Sequence, residues 1–206
     1  MLKRHYLVLV TLFLFATACG EDEPEDSSYD RPEETLEFIT DAQLDSLIDV
    51  GAVVYEGDAP PSLTGTYDRR DQRVLFEDNE NNIGRDVCYS IWTLEATSDE
   101  YRYDSSWETY NDCDSSSEGL AAYVSGQNNC FTLYTTTQSE RDGCEFESIG
   151  IKSGCLVNGD IEDFMEASIA LERPGSACQT LINNGNIPAE GNRFVIGEGT
   201  VTAVMD

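Results

Sequence analysis

Beyond residue 63 the chain alternates apolar and polar side chains with a period of two. In the stretch 101–109, Tyr101, Tyr103, Ser105, Trp107 and Thr109 fall on one side, and Arg102, Asp104, Ser106 and Glu108 on the other. That is the signature of a strand with one covered face. Met165, Ala167, Ile169 and Leu171 repeat it against Glu166 and Ser168. Between Asn128 and Cys155, a β-branched and aromatic run from Cys130 to Thr137 gives way to polar turn residues at Ser139–Gly143. Phe146, Ile149 and Ile151 then resume the pattern, as in a hairpin. Eight strands are predicted on this basis: 63–69 (bending on through 77), 88–96, 100–110, 118–125, 129–138, 144–153, 164–172 and 193–204. Turn-forming clusters at 79–84, 97–99, 112–117, 126–129 and 174–191 separate most of them, and Gly197 and Gly199 predict a bulge or sharp bend in the last.

A helix precedes the strands, over 40–50. Thr40 and Gln43 have capping-box spacing, Leu44, Leu47 and Ile48 share a face, and Gly51 stands where a C-terminal cap belongs. The fold class expected is all-β: an eight-stranded antiparallel up-and-down barrel of lipocalin or calycin type behind one short helix. A two-sheet β-sandwich is the alternative. Short, hairpin-like connections favour the barrel.

The first eighteen residues read differently. Lys3 and Arg4 precede an apolar run from Tyr6 to Phe15, and Ala16, Thr17 and Ala18 are small. This is the layout of a cleaved signal peptide, 1–18. Ala16-Thr17-Ala18-Cys19 resembles the lipobox of bacterial lipoproteins, which implies a lipidated Cys19 at the head of the mature chain. From Gly20 to Pro32 the chain carries six acidic residues and two prolines, so 19–35 is expected to be an acidic disordered tether. An acidic cluster behind the lipidated cysteine also resembles surface-export signals of some outer-membrane lipoproteins. The remainder, 36–206, is the size of a single domain.

Charge and cysteine usage narrow the function. Without residues 1–18, 10 basic residues face 40 acidic ones, a net charge of −30; nucleic acid and anionic lipid surfaces are excluded as partners. Lys152 is the one lysine left, in keeping with a salt-adapted acidic surface. The only histidine, His5, lies in the signal, and six cysteines follow Cys19: Cys88, Cys113, Cys130, Cys144, Cys155 and Cys178. An even set in an exported chain implies three disulfides rather than zinc, which has neither a Cys-x-x-Cys pair nor a histidine here. In the barrel, Cys130 and Cys155 share one end and Cys88, Cys113, Cys144 and Cys178 the other. Fifteen pairings shrink to three, and chain proximity favours Cys88–Cys113, Cys144–Cys178 and Cys130–Cys155.

A wider likeness rests on the helix followed by Gly51-Ala-Val-Val-Tyr55-Glu-Gly57 and Pro60-Pro61-Ser-Leu63-Thr-Gly65-Thr-Tyr67. Tyr123-Val-Ser-Gly126, Cys130-Phe-Thr-Leu-Tyr134 and Ile161-Glu-Asp-Phe164-Met-Glu-Ala167 extend it. These blocks resemble exported lipoproteins of Bacteroidetes and related bacteria. The resemblance implies an address in the cell envelope, as an outer-membrane lipoprotein facing the periplasm or the surface, and carries over no catalytic residue. Gly65-Thr66-Tyr67 is also similar to the Gly-x-Trp opening of lipocalins.

No histidine in the mature chain means no Ser-His-Asp triad and no Cys-His dyad. Six paired cysteines leave no thiol nucleophile. No cofactor is expected. Calcium is the best inorganic candidate, at Asp112-Cys-Asp114-Ser-Ser116-Ser-Glu118 or at Asp78-Asn-Glu80-Asn-Asn82, but both depart from the EF-hand pattern and read as solvated loops. The organic candidate is an aromatic row, Tyr89, Trp92, Tyr101, Tyr103 and Trp107, which either fills the barrel or faces a ligand. The chain is thus expected to be a non-enzymatic, membrane-anchored lipoprotein binding a small apolar or glycan-like ligand. The alternatives are a structural or partner-binding surface lipoprotein with a filled barrel, and a carboxylate-dependent hydrolase. Labelled palmitate is expected to enter the wild-type protein and not Cys19→Ala; equal labelling of the two overturns the assignment of the anchor.

Overall fold

In a computed structural model of the chain, residues 27–37, 39–80, 82–99, 101–109, 116–171, 176–184 and 189–204 are described. Helix α1 (Asp41–Ile48) opens the domain. The capping box forms as its sequence requires: Gln43 N donates to Thr40 Oγ1 and Thr40 N to Gln43 Oε1. Leu44 and Leu47 are fully buried. After it come β1 (Asp58–Ala59), β2 (Gly65–Arg70), β3 (Arg73–Glu77), β4 (Ser90–Ala96), β5 (Tyr103–Thr109) and β6 (Ser116–Gln127). Strands β7 (Cys130–Arg141), β8 (Cys144–Val157) and β9 (Asp160–Ala170) continue from β6 through two-residue connections, and α2 (Ser176–Asn183), β10 (Arg193–Gly197) and β11 (Thr200–Ala203) follow.

The protein is mostly β, in one large sheet ordered β11-β2-β4-β5-β6-β7-β8-β9-β10-β3, with β1 alongside β6 and a further pairing of β11 with β9. Among the described residues, every neighbour pair but β1–β6 is antiparallel. Eleven strands among these residues replace the eight expected. The first expected strand breaks at Asp71 (φ 55) and the last at Glu198 (φ 60), each too sharp for a continuous ladder. The two breaks face each other: a Cβ on Gly199 would come within 2.3 Å of the Arg70 carbonyl oxygen. Strands β7 to β9 run longer than expected. Asp142-Gly143 and Asn158-Gly159 hold positive φ at both positions, forming two-residue turns that match the strands' twist.

Two departures concern what was expected to be loop or tether. Residues 176–183, inside the expected turn 174–191, form α2, which Cys178 and Leu181 bury against Cys144 and Phe146. Residues 27–35, expected to belong to the tether, are instead docked on the domain. Ser27 Oγ and Ser28 N and Oγ donate to the Asp41 carboxylate, and the buried Arg31 guanidinium pairs with it at 2.6 Å. Arg31 also lies 5.6 Å from the centroid of the Tyr134 ring. Asp41 starts α1, where a carboxylate is favoured by the helix dipole, so one acidic position gathers the strap. A short 3-10 turn, Glu33–Glu37, then leads to Ile39. Residues 1–26, with the signal and Cys19, lie outside the described residues.

The expectation of a single covered face does not hold in the middle of the sheet. Tyr134, Ile149, Ile151, Ala167, Ile169 and Val195 form one cluster with Ile39, Leu44 and Leu47 of the α1 region. The alternating apolar face of β8 and β9 thus lies under the helix. Leu63, Tyr67, Trp92, Leu94, Tyr103, Val124, Phe131, Leu133, Ile161, Phe164 and Val201 form a second cluster on the opposite side of the sheet. The middle stretches of β7 to β9 (131–137, 149–154 and 164–170) are covered on both faces, so polar alternates such as Thr132, Thr135, Lys152 and Ser153 are buried too, while the strand ends keep exposed residues.

Strand β1 sits on β6 through two glycines. Gly57 O accepts from Gly126 N at 3.0 Å. Gly126 has φ 150, and a Cβ there would meet Cys130 O at 2.3 Å. Gly126→Ala is expected to destabilise the domain by about 2–4 kcal/mol, read as a lowered midpoint of urea unfolding.

Candidate functional site

Alternation puts Arg69 on the same side of β2 as Tyr67, Lys152 on the side of β8 opposite Ile151, and Glu166 on the side of β9 opposite Ala167. Register then brings the last two together: Lys152 pairs with Glu166 across β8 and β9, and Glu166 with Ile196 of β10. Lys152 Nζ lies 3.3 Å from Glu166 Oε1, and Arg69 Nη2 lies 2.9 Å from Glu166 Oε2. The Arg69 guanidinium stacks 5.1 Å from the centroid of the Phe164 ring, and Phe164 packs on Trp92 at 5.9 Å. Lys152 is 2 % exposed and Arg69 5 %; the Glu166 side chain keeps 18 % of its surface.

Electrostatics follow from that burial. Loss of water alone would raise the Glu166 pKa, but Lys152 and Arg69 outweigh it and hold the carboxylate below its ordinary value. Burial pushes the Lys152 ammonium down, opposed by the attraction of Glu166. Both cations face the same carboxylate.

Gln72 occupies the bend between β2 and β3. It is 1 % exposed, and neither its Oε1 nor its Nε2 has a partner among the described residues. Its Nε2 lies where a Cβ on Gly199 would come within 2.7 Å, and Gly199 is two residues before Val201, the register partner of Arg69. Arg69 Nε is unpartnered as well. So are Trp92 Nε1 and Ser105 Oγ in the aromatic half of the same face.

The aromatic row divides. Trp92 is fully buried and Tyr103 is 6 % exposed, both in the cluster around Leu63. Tyr103 Oη accepts from Leu63 N at 3.1 Å, while Tyr67 donates to Leu63 O at 3.0 Å, so two hydroxyls satisfy one backbone residue. Tyr89 turns away, donating to Asp71, and Tyr101 approaches Asp58 O at the surface. The backbone of Trp107 pairs with Trp92; its side chain lies outside the described residues. The five are therefore not one site.

Cys130–Cys155 and Cys144–Cys178 are bonded as expected. Cys88 is also disulfide-bonded, and Cys113, its expected partner, lies outside the described residues. Of the two calcium candidates, 112–115 lies outside them as well. Asp78 is committed to Arg193, whose N and Nη2 donate to it at 2.7 Å, and Asn82 donates to Glu77. Among the described residues no group of three or more Asp, Glu, Cys or His is arranged to hold a metal ion.

The strand pattern carries a signal for the buried cluster: Lys152, flanked two residues away by Gly150 and Gly154, opposes Ile149 and Ile151. It reads as the polar, solvent side of a strand only if one face is assumed to be wet. In the structure neither is. Comparison of the chain with protein-family models, curated proteins and solved structures returns no match.

Replacing Glu166 by Leu removes the carboxylate that both buried cations face and is expected to cost about 3–5 kcal/mol of stability. The pH dependence has a definite sign. The folded Glu166 pKa is below the unfolded value of about 4.3, so its contribution is complete above that value and is lost as pH falls through the folded one. Urea titrations of wild type between neutral and acid pH should show that loss, absent in Glu166→Leu.

Proposed function

We propose that the chain is an exported, membrane-anchored lipoprotein of non-enzymatic type that holds a small ligand inside its β-sheet. One observation carries the ligand reading. Arg69, Gln72, Trp92 and Ser105 are buried, and each holds a polar atom with no partner among the described residues. Native proteins satisfy nearly all such groups, and unmet polar atoms of this kind support an interior that takes further molecules. Closure of the sheet into a barrel is part of the proposal. It is supported by β11, which pairs with β2 over four positions and meets β9 at Val201 and Ile161. Counting β2 with β3 and β10 with β11 as single bent strands then gives eight positions around a ring. The apolar cluster draws on β2, β4, β5, β6, β7, β9 and β11, which fits side chains converging on an interior.

The anchor rests on Ala16-Thr17-Ala18-Cys19, and the envelope address on the signal ahead of it. Carboxylate-run hydrolysis is disfavoured by Glu166. A general acid needs a raised pKa, whereas this one is lowered by two cations. A second reading, a filled structural or partner-binding domain, has its own support in the aromatic half, where Trp92 and Phe131 are fully buried and Tyr67, Trp92 and Phe164 pack ring to ring. Native mass spectrometry of the mature chain, purified from an oxidising compartment, decides between them. A bound small molecule is expected; a bare mass in every preparation supports the filled domain.

A further inference from the structure

We propose that Cys130–Cys155 is a thiol–disulfide exchange site: a dithiol opens this bond reversibly while the domain stays folded and Cys144–Cys178 stays closed. The two bridges differ first in reach. Cys144 is 1 % exposed and Cys178 2 %, and both are packed with Leu181, Phe146 and Ile182. Cys130 and Cys155 are only half-buried, at the opposite end of the β7–β8 pair from Cys144. Exchange requires a thiolate to approach a disulfide sulfur directly, so a thiol in solvent meets Cys130–Cys155 first.

The bridges differ as well in what holds the chain once the bond is open. Cys130 and Cys155 are register partners, and pairing runs without a shift from there to Arg141 and Cys144. Hydrogen bonds continue on the other side of the bridge: Leu156 N donates to Asn129 O at 2.7 Å, and Asn129 Nδ2 to Leu156 O at 3.1 Å. The bond therefore lies inside a ladder that has its own pairing on both sides. The two thiols of the reduced form stay opposite each other, and closing the bond again costs little chain entropy. Cys144–Cys178 has the opposite character. It ties β8 to α2, a helix of eight residues, and a helix that short depends on its tertiary attachment. Opening that bridge is coupled to releasing α2. In the exchange, one thiolate of the dithiol attacks a sulfur of the bridge, the Cys130–Cys155 bond breaks, and a mixed disulfide forms. The second thiol of the donor then displaces the remaining cysteine. The donor leaves as a disulfide, and its two electrons and two protons end in the Cys130 and Cys155 thiols.

Dithiothreitol is the probe, applied to the wild-type mature chain with its disulfides formed, so no variant has to fold. Samples are quenched with N-ethylmaleimide at intervals, and the labelled cysteines are located by peptide mass spectrometry. Cys130 and Cys155 should label at least about tenfold faster than Cys144 and Cys178. Amide exchange in β7 and β8 should stay slow at the time when the first pair is fully labelled and the second is not. In an unquenched sample taken at that time, excess oxidised dithiothreitol should restore the Cys130–Cys155 bond. Equal labelling rates for the two pairs overturn the proposal. So does fast amide exchange throughout β7 and β8 as Cys130 and Cys155 label, which would mean that reduction requires unfolding. Failure of the bond to re-form overturns its reversibility, and with it the exchange site.

Discussion

The buried ion cluster depends on one constraint: the middle stretches of β7, β8 and β9 have no face in water. A half-covered antiparallel strand can place its charged residues outward at no cost. Here α1 and the strap from Ser27 cover one face with Ile39, Leu44 and Leu47, while the other looks into the cluster around Trp92 and Leu133. Lys152 and Glu166 must therefore solve their desolvation locally. They do so as register neighbours on adjacent strands, and Arg69 reaches the same carboxylate from β2. The pairing is specific, because a one-residue slip of β8 on β9 would exchange Lys152 for Ile151 and strand Glu166 against an aliphatic side chain.

Much of the fold was legible from residues 40 to 204. Thr40 and Gln43 mark the start of α1, the strand positions follow from period-two alternation, and chain proximity at strand ends gives Cys130–Cys155 and Cys144–Cys178. What misled was sidedness. Met165, Ala167, Ile169 and Leu171 form an apolar face, but periodicity does not say whether a helix or a second stretch of sheet covers it. Lys152 reads as solvent-exposed for the same reason. Helix α2 escaped because Pro, Gly and Asn residues flank a short segment whose position is fixed by Cys178 and by long-range packing rather than by local preference. The strap at 27–37 escaped because its composition is that of a tether, while its order comes from one buried arginine.

The candidate site was illegible for a related reason. An aromatic row is conspicuous in a sequence, yet Trp92 and Tyr103 are spent on packing and on satisfying Leu63. Uncommitted polarity is inconspicuous: Gln72 and Arg69 look like ordinary surface residues until Arg69 falls on the Tyr67 side of β2 and Gln72 on the buried bend after Asp71. Only the fold reveals that they lack partners.

The strap has a mechanical meaning as well. With lipid on Cys19, as proposed, docking at Ser27 leaves seven residues, 20 to 26, between the anchor and the first packed side chain. Seven residues span at most about 25 Å however they are arranged, whereas a tether free to residue 35 would roughly double that reach. Under that proposal Arg31 would act as a short leash, holding a strongly acidic domain close to the bilayer.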